Sequence, residues 1–519
     1  MKKIFFAILG FALALTACTN LDEEIYSQMS KEDFLSDDNN LVLYTTRPYT
    51  ALQKWGAEQS MWTLIMQLSN EVAVPKSNSG AWGETRYGEL QKHAIPTSNK
   101  LVRKGWDFCF DGIAACNDAI FELEKAGDTD VLKKSVQEIK ILRAYYYFLA
   151  VDCWGMVPFS IDKTQTDYPK TKTRPEMYQW LEQEIKGNMS MLDKTRTSTN
   201  YGRVTLDMAN FLLAKLYLNA EVWTGTAKWD EAKDACDKIM KSGNYSLANH
   251  YEDNFKVNNE NGSEAIFAIP HSSVYTREAF YPYVITLNDN LKDIWKIGST
   301  WDGTFMGQPD FLATYEAGDL RKGATWLYGE IYDLDGNRVK YQDGVDANKV
   351  PIMKDLYLED INIPEEKFGA GLDKTDGARI IKWPYQSDGT LTNCTVSMEN
   401  DFFLMRYSDV VLMYVETLIR TNKPGEAAAV PEFAQIRTRA GLAPFTAADC
   451  TLYKFFLERA HEMAIEGWER EDLIRFGKYL EPWWAKPDAG KDYMILLPIP
   501  ELARGANPNL GQNPGYDGK

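Results

Sequence analysis

The chain has 519 residues, 74 acidic against 57 basic, and a formal charge of −17. That balance, with no Lys/Arg block anywhere, excludes nucleic acid as a partner, because a phosphate backbone needs a basic surface. Beyond Cys18 no stretch reaches the roughly 18 uninterrupted apolar residues of a membrane-spanning helix, so the rest of the chain is predicted to sit in water.

Lys2 and Lys3 form a short positive start, and Ile4 to Leu15 is apolar but too short to span a bilayer. Leu15-Thr16-Ala17-Cys18 then places small residues directly before a cysteine. This pattern reads as a lipoprotein signal: residues 1–17 are removed and residues 18–35 become a lipidated tether. An ordinary secretory signal fits less well, since no Ala-x-Ala cleavage site is present. Acyl chains on the Cys18 thiol and amine each contribute roughly 0.8 kcal/mol per buried methylene, enough in combination to hold the protein on a membrane it does not span. Losing Lys2 and Lys3 takes the formal charge to −19. Asp22-Glu23-Glu24 reads as solvated tether, although a run placed there resembles a cell-surface export signal of some Gram-negative lipoproteins.

No Pro/Gly/Ser-rich linker breaks residues 36–519, which are expected to form a single, mainly α domain. Its helical scaffold is placed at about 36–68, 99–242 and 401–485. From Ser135 to Trp154, Ile139, Leu142, Tyr146, Leu149 and Cys153 recur at helical spacing. Arg174-Pro175 opens another helix, with proline in a first turn. The run Phe211 to Leu218, a turn, and Trp229 to Cys236 resemble a tetratricopeptide unit, and the plan recurs weakly at Ser408 to Ala440. One helical pair cannot bury its apolar face alone, so a stack is implied. Residues 69–98 and 244–400 lose this periodicity and become rich in Gly, Asn, Asp and Pro, with short strands expected at Glu264–Ile269 and Arg379–Trp383. Long irregular chain in an ordered protein usually builds a functional surface, so a ligand is expected there.

Six cysteines remain after Cys18: Cys109, Cys116, Cys153, Cys236, Cys394 and Cys450. None forms Cys-x-x-Cys, and they read as buried small hydrophobes, with no pairing assigned. His461-Glu462 begins like a zinc-protease helix, but Ile465 stands where the second histidine belongs. Asp373 and Asp376 have a spacing common by chance, and no metal or cofactor is expected. Glu458, Glu462 and Glu466 fall on one helix face among Arg459, Arg470 and Arg475. Carboxylates on one face cannot straddle a glycosidic bond, so they read as an ion-pair network and the chain as non-catalytic.

Three stretches together resemble the SusD/RagB family of outer-membrane nutrient-binding lipoproteins: Glu138 to Phe148 with Trp154-Gly155-Met156-Val157-Pro158-Phe159, Phe403 to Glu416, and Glu458 through Asp472-Leu473-Ile474-Arg475-Phe476-Gly477 to the tail Asn507 to Tyr516. Glu469 departs from the pattern, since many relatives carry arginine there. Arg143 and Arg406 lie on otherwise apolar runs and are expected to be internal staples. The turn-rich tail is expected to pack over the helices. The resemblance implies a SusD-like scaffold of four tetratricopeptide-like helix pairs supporting irregular loops. It also implies a non-catalytic lipoprotein on the outer membrane, facing outward, that captures oligosaccharide and hands it to a TonB-dependent, SusC-like transporter. Peptide binding by the same kind of lid, and glycoside hydrolysis, are the alternatives.

Sugar sites set aromatic faces against pyranose rings and supply hydrogen bonds from Asn, Asp, Arg and Gln. Two clusters fit. The first holds Asn78, Trp82, Glu84, Arg86 and Tyr87 in a Gly-rich stretch. The second holds Trp295, Trp301 and Asp302, followed by Trp326 and Tyr328. Each tryptophan also has a core-packing reading, because aromatics are 13% of the chain and most of them pack inside. Trp483 and Trp484 are assigned to surface packing or partner contacts.

Overall fold

The structure, a computed structural model, describes residues 38–57, 59–74, 85–272, 274–276, 291–292, 294, 305–373, 375–385 and 398–517. Asn78, Trp82, Glu84, Trp295, Trp301, Asp302, Cys394 and the Cys18 region lie outside them. The chain divides into two units, Met1–Tyr44 and Thr45–Lys519, and the scaffold, the strands and the candidate sites belong to the second.

Helices α1 (Asp38–Leu52) and α2 (Met61–Gln67), strand β1 (Val72–Ala73) and helix α3 (Thr85–Gln91) lead into the long helical pair α4 (Lys100–Ala126) and α5 (Asp130–Trp154). Asn99 starts α4 by accepting from the N–H groups of Leu101 at 2.9 Å and Val102 at 3.2 Å, which satisfies donors that have no partner within the helix. α4 and α5 meet closely because Gly112 has no side chain: a Cβ there would lie 2.3 Å from the Tyr146 ring. The buried face of α5 carries Leu142, Tyr145, Tyr146, Tyr147 and Phe148. Next come α6 (Arg174–Gly187), α7 (Leu206–Leu218) and α8 (Trp229–Met240). Proline opens α6 as its sequence predicts, and Thr173 with Glu176 closes a reciprocal cap. α8 buries Ala232, Ala235, Cys236 and Ile239, a helical stripe that packs on α7.

Between α8 and residue 407 the described chain carries short strands, among them β2 (Ala265–Ile269), β3 (Met306–Gly307), β4 (Trp326–Leu327), β5 (Lys340–Val345), β6 (Pro351–Asp355), β7 (Arg379–Ile380) and β8 (Phe402–Arg406), together with helical turns at Pro309–Leu312, Leu320–Thr325 and Lys367–Ala370. The strand expected from Arg379 covers two residues, not five. β8 runs straight into α9 (Tyr407–Arg420), and α10 (Pro431–Arg439), α11 (Leu452–Glu462) and α12 (Glu469–Arg475) complete the scaffold. α11 stops at Glu462, so Glu466 lies in the turn beyond it and not on the same helix face.

Antiparallel pairing of β2 with β8 sets Arg406 opposite Ala265, and Arg406 becomes the centre of a buried charge cluster. Its guanidinium meets Glu466 at 2.7 Å, Glu462 at 2.8 Å and Glu264 at 3.3 Å. Arg439 shares Glu264 and Glu462, Arg321 joins Asp319, Glu458 and Glu462, and Lys382 reaches Glu466 at 2.7 Å. A neighbouring cluster links Arg459 to Asp409 and Asp472, and Arg475 to Glu416 and Asp472. Arg143 likewise reaches Asn117 at 2.7 Å and Glu184 at 2.6 Å. Arg143 and Arg406 are thus internal staples as expected. Glu458, Glu462 and Glu466 are ion-paired, but with Arg321, Arg437, Arg406, Arg439 and Lys382, while the interspersed Arg459, Arg470 and Arg475 pair with Asp409, Asp472, Asp152 and Glu416. Cys109, Cys116, Cys153, Cys236 and Cys450 are free and buried. The tail packs as expected: the Asn513 amide donates to Trp154 O at 2.8 Å and Leu497 O at 2.7 Å.

Candidate ligand site at the loop roots

β1 and β3 pair antiparallel, Val72 with Gly307 and Ala73 with Met306. This pairing joins the two segments in which the sequence placed its ligand residues. One, carrying Asn78 and Trp82, leaves from the end of β1; the other, carrying Trp295, Trp301 and Asp302, arrives at Phe305 and β3. The far side of the first segment is fixed to the same place, because Tyr87 on α3 meets the Phe305 ring edge-on at 5.5 Å.

A polar clamp sets this ladder. Gln308, fully buried, donates its side-chain amide to Ser69 O at 3.2 Å and Val72 O at 2.9 Å, and accepts from Ala485 N at 3.1 Å. The Gln308 N–H donates to Glu71 O at 2.9 Å. Glu71 in turn accepts from Ile465 N at 2.8 Å, and Ile465 O accepts from the Trp62 indole at 2.9 Å. Ile465 has φ of 69°, a costly conformation for a β-branched residue, held here from both sides. Burial raises the Glu71 carboxyl well above the ordinary carboxylate range, against the lowering pull of the Ile465 N–H and Lys382.

The predicted site residues that are described take different places. Trp326 is 1% exposed, its indole donating to Tyr315 Oη at 3.3 Å and its ring facing Phe311. Gly307 admits it: a Cβ there would lie 2.9 Å from Trp326 Cζ3. Trp326 is thus foundation beneath β3 with no face open to a sugar, a correction to its reading as a platform. Tyr87, also 1% exposed, is corrected in the same way. Both sit on regular elements whose neighbours come from far along the chain, which local polarity did not reveal. Arg86 stays half-buried, its guanidinium 5.3 Å from the Tyr87 ring centre. Tyr328 is half-buried beneath the Lys322 ammonium at 4.7 Å. Trp483 and Trp484 are buried, not surface residues, with the Trp484 indole donating to Ile363 O at 2.9 Å. Between Asp373 and Asp376 the Lys367 ammonium lies 2.6 and 3.0 Å from the two carboxylates, occupying the place a cation would take. The sequence reading missed Gln308, Glu71 and Phe305, none of which carries a local signal for its role.

The family model described as "SusD family" matches residues 226–494, and a second, "Starch-binding associating with outer membrane", matches residues 21–218. The chain is 27% identical to "Starch-binding protein SusD" of Bacteroides thetaiotaomicron, over 80% of this chain and 78% of that one. It is 23% identical to a "SusD-like protein" of Bacteroides ovatus, over 92% and 83%. Among solved structures, surface glycan-binding protein A from Bacteroides uniformis superposes with a TM-score of 0.71 at 19% identity, covering 92% of this chain and 99% of that one. The corresponding protein from Bacteroides thetaiotaomicron in complex with laminarihexaose gives 0.68 at 21% identity, with the same coverages. With a helical scaffold, short strands and a family match across more than half its length, the chain belongs to the SusD family.

Proposed function

We propose that this protein is a cell-surface lipoprotein that binds oligosaccharide or polysaccharide without cleaving it and delivers it to a TonB-dependent outer-membrane transporter. Lipid on Cys18 tethers it to the outer membrane. The observation that carries this reading is the β1–β3 pairing, which ties the segments bearing Trp82 and Trp301 to one root. Trp82 and Trp301 supply stacking faces, helped by Trp295, while Asn78, Arg86 and Asp302 exchange hydrogen bonds with sugar hydroxyls. Tyr87 and Trp326 act beneath them, as packing. The names of its relatives, which bind starch or laminarihexaose, support a glycan as cargo. The non-catalytic reading is supported by the state of Glu458, Glu462 and Glu466, each held by arginine or lysine and none free to act as acid or nucleophile.

The test is a panel of polysaccharides and oligosaccharides in affinity electrophoresis and calorimetry, with products followed by chromatography. Retention by one glycan class with no new products is the expected result. New products would overturn the non-catalytic reading, and binding of peptides with no glycan retained would overturn the cargo.

A further inference from the structure

A cleft apart from the loop roots lies where the exposed side of α4 meets the turn after α1. Its volume is about 150 Å³, and its walls are Ala51, Lys54, Ala57, Gln59 and Ser60 on one side and Lys104, Asp107, Phe108 and Asp111 on the other. The α4 residues recur at spacings of three and four, so they form one stripe facing the turn. Phe108, Ala51 and Ala57 give the cleft an apolar floor. Among the described residues, two ammonium and two carboxylate groups stand around it. Lys54, Lys104 and Asp111 make no ion pair among the described residues, and Asp107 has only a long contact to Arg103 at 3.8 Å. Partial burial, with Asp111 nearby, holds the Asp107 carboxyl above its ordinary range despite Arg103. These charges line one small space without neutralising each other through contact.

The mixture narrows the ligand. Two lysines oppose a metal cation, two aspartates oppose an anion, and four charged rims oppose a purely apolar guest. A neutral polyol meets all of them, since each hydroxyl donates to a carboxylate and accepts from an ammonium. The floor takes the C–H face of a ring. The volume is well under the ~300 Å³ at which drug-sized pockets begin, so it suits one ring and not a chain. We infer that this cleft is a second saccharide-binding site, holding a single neutral sugar residue through Asp107, Asp111, Lys54 and Lys104 over Phe108.

The test titrates glucose, galactose and mannose by calorimetry into the mature lipoprotein in a non-glycosidic detergent, using the Trp82→Ala/Trp301→Ala variant so that the proposed loop site is silent. At least one hexose is expected to bind, and adding Asp107→Ala/Asp111→Ala should weaken it at least about tenfold. Lys54→Ala/Lys104→Ala provides a second, independent pair with the same expected loss; all four are surface positions whose removal leaves the core intact. Hexose binding unchanged by both pairs would overturn the inference, as would no hexose binding, or binding of glycine where no hexose binds. Loss of all glycan binding in Trp82→Ala/Trp301→Ala sinks this cleft but leaves the loop site standing. Full binding there that depends on Asp107 and Asp111 does the reverse.

Discussion

The helical side and the strand-rooted side of this protein bury polar groups in different ways. Around α9 to α12, arginines and carboxylates from distant segments neutralise each other deep inside, Arg406 alone engaging three glutamates. At the loop roots, two-residue strands are instead held by neutral amide contacts through Gln308, with Glu71 biased toward its neutral form. A buried ion lattice tolerates little change, because each lost partner leaves a charge in a low dielectric. The short ladder with its neutral clamp ties Val72–Ala73 to Met306–Gly307. The scaffold is thus held by charge pairing, and the loop roots by neutral hydrogen bonds.

The largest effect should come from the lattice. Arg406→Met strands Glu264, Glu462 and Glu466 without their shared cation, and a loss of about 3–5 kcal/mol or failure to fold is expected in urea denaturation. Trp326→Ala should follow at about 3–5 kcal/mol as a core cavity, with its damage appearing in stability first, whereas Trp82→Ala should leave stability within about 0.5 kcal/mol. Equal stability losses in the two would erase the distinction between foundation and ligand face.

The arginine-paired carboxyls Glu462 and Glu416 respond to pH oppositely to Glu71. Burial by itself would raise Glu462, but Arg439, Arg406 and Arg321 outweigh it and hold it down at about 2; Glu416 is likewise held at about 2 by Arg475 and Arg420 against burial. Carboxyls lowered on folding stabilise above their unfolded value, so stability is lost as pH falls from the ordinary carboxylate range toward 2. Glu71 is raised on folding, so its contribution declines as pH climbs above that ordinary range. Denaturation midpoints across pH should therefore fall on the acid side, and Glu71→Gln should flatten the decline on the other. A Glu71→Gln profile parallel to wild type would contradict the assignment. The smallest effect belongs to the β5–β6 hairpin, where Ile352 and Met353 are exposed; Ile352→Ser should move stability by less than about 0.5 kcal/mol.

Much of the scaffold was legible because helical periodicity is local. Ile139, Leu142 and Tyr146 announce α5, and Arg174-Pro175 announces the start of α6. The lone arginines, Arg143 and Arg406, were legible as staples because an apolar run cannot hold a charge unaided. What local pattern could not supply was pairing across the chain. Trp326 stands among Asp, Arg and Gly residues that suggest a surface loop, yet Gly307 and Phe311 enclose it from another segment. Gln308 looks like any polar loop residue until Ser69, Val72 and Ala485 converge on it. Thr85–Gln91 forms a helix inside a stretch whose composition reads as loop, and that helix buries Tyr87.

If glycan is held by the loops rooted on β1 and β3 while the scaffold stays inert, stacking residues and foundation residues must separate in a single experiment. That experiment is affinity electrophoresis of wild type, Trp82→Ala, Trp301→Ala and Trp326→Phe through gels containing one polysaccharide each, with melting temperature measured alongside. One glycan class should retard wild type and Trp326→Phe, and retardation should drop sharply in Trp82→Ala and Trp301→Ala at unchanged melting temperature. Undiminished retardation of both of these variants, or no retardation of wild type by any glycan, would contradict a glycan site on these loops.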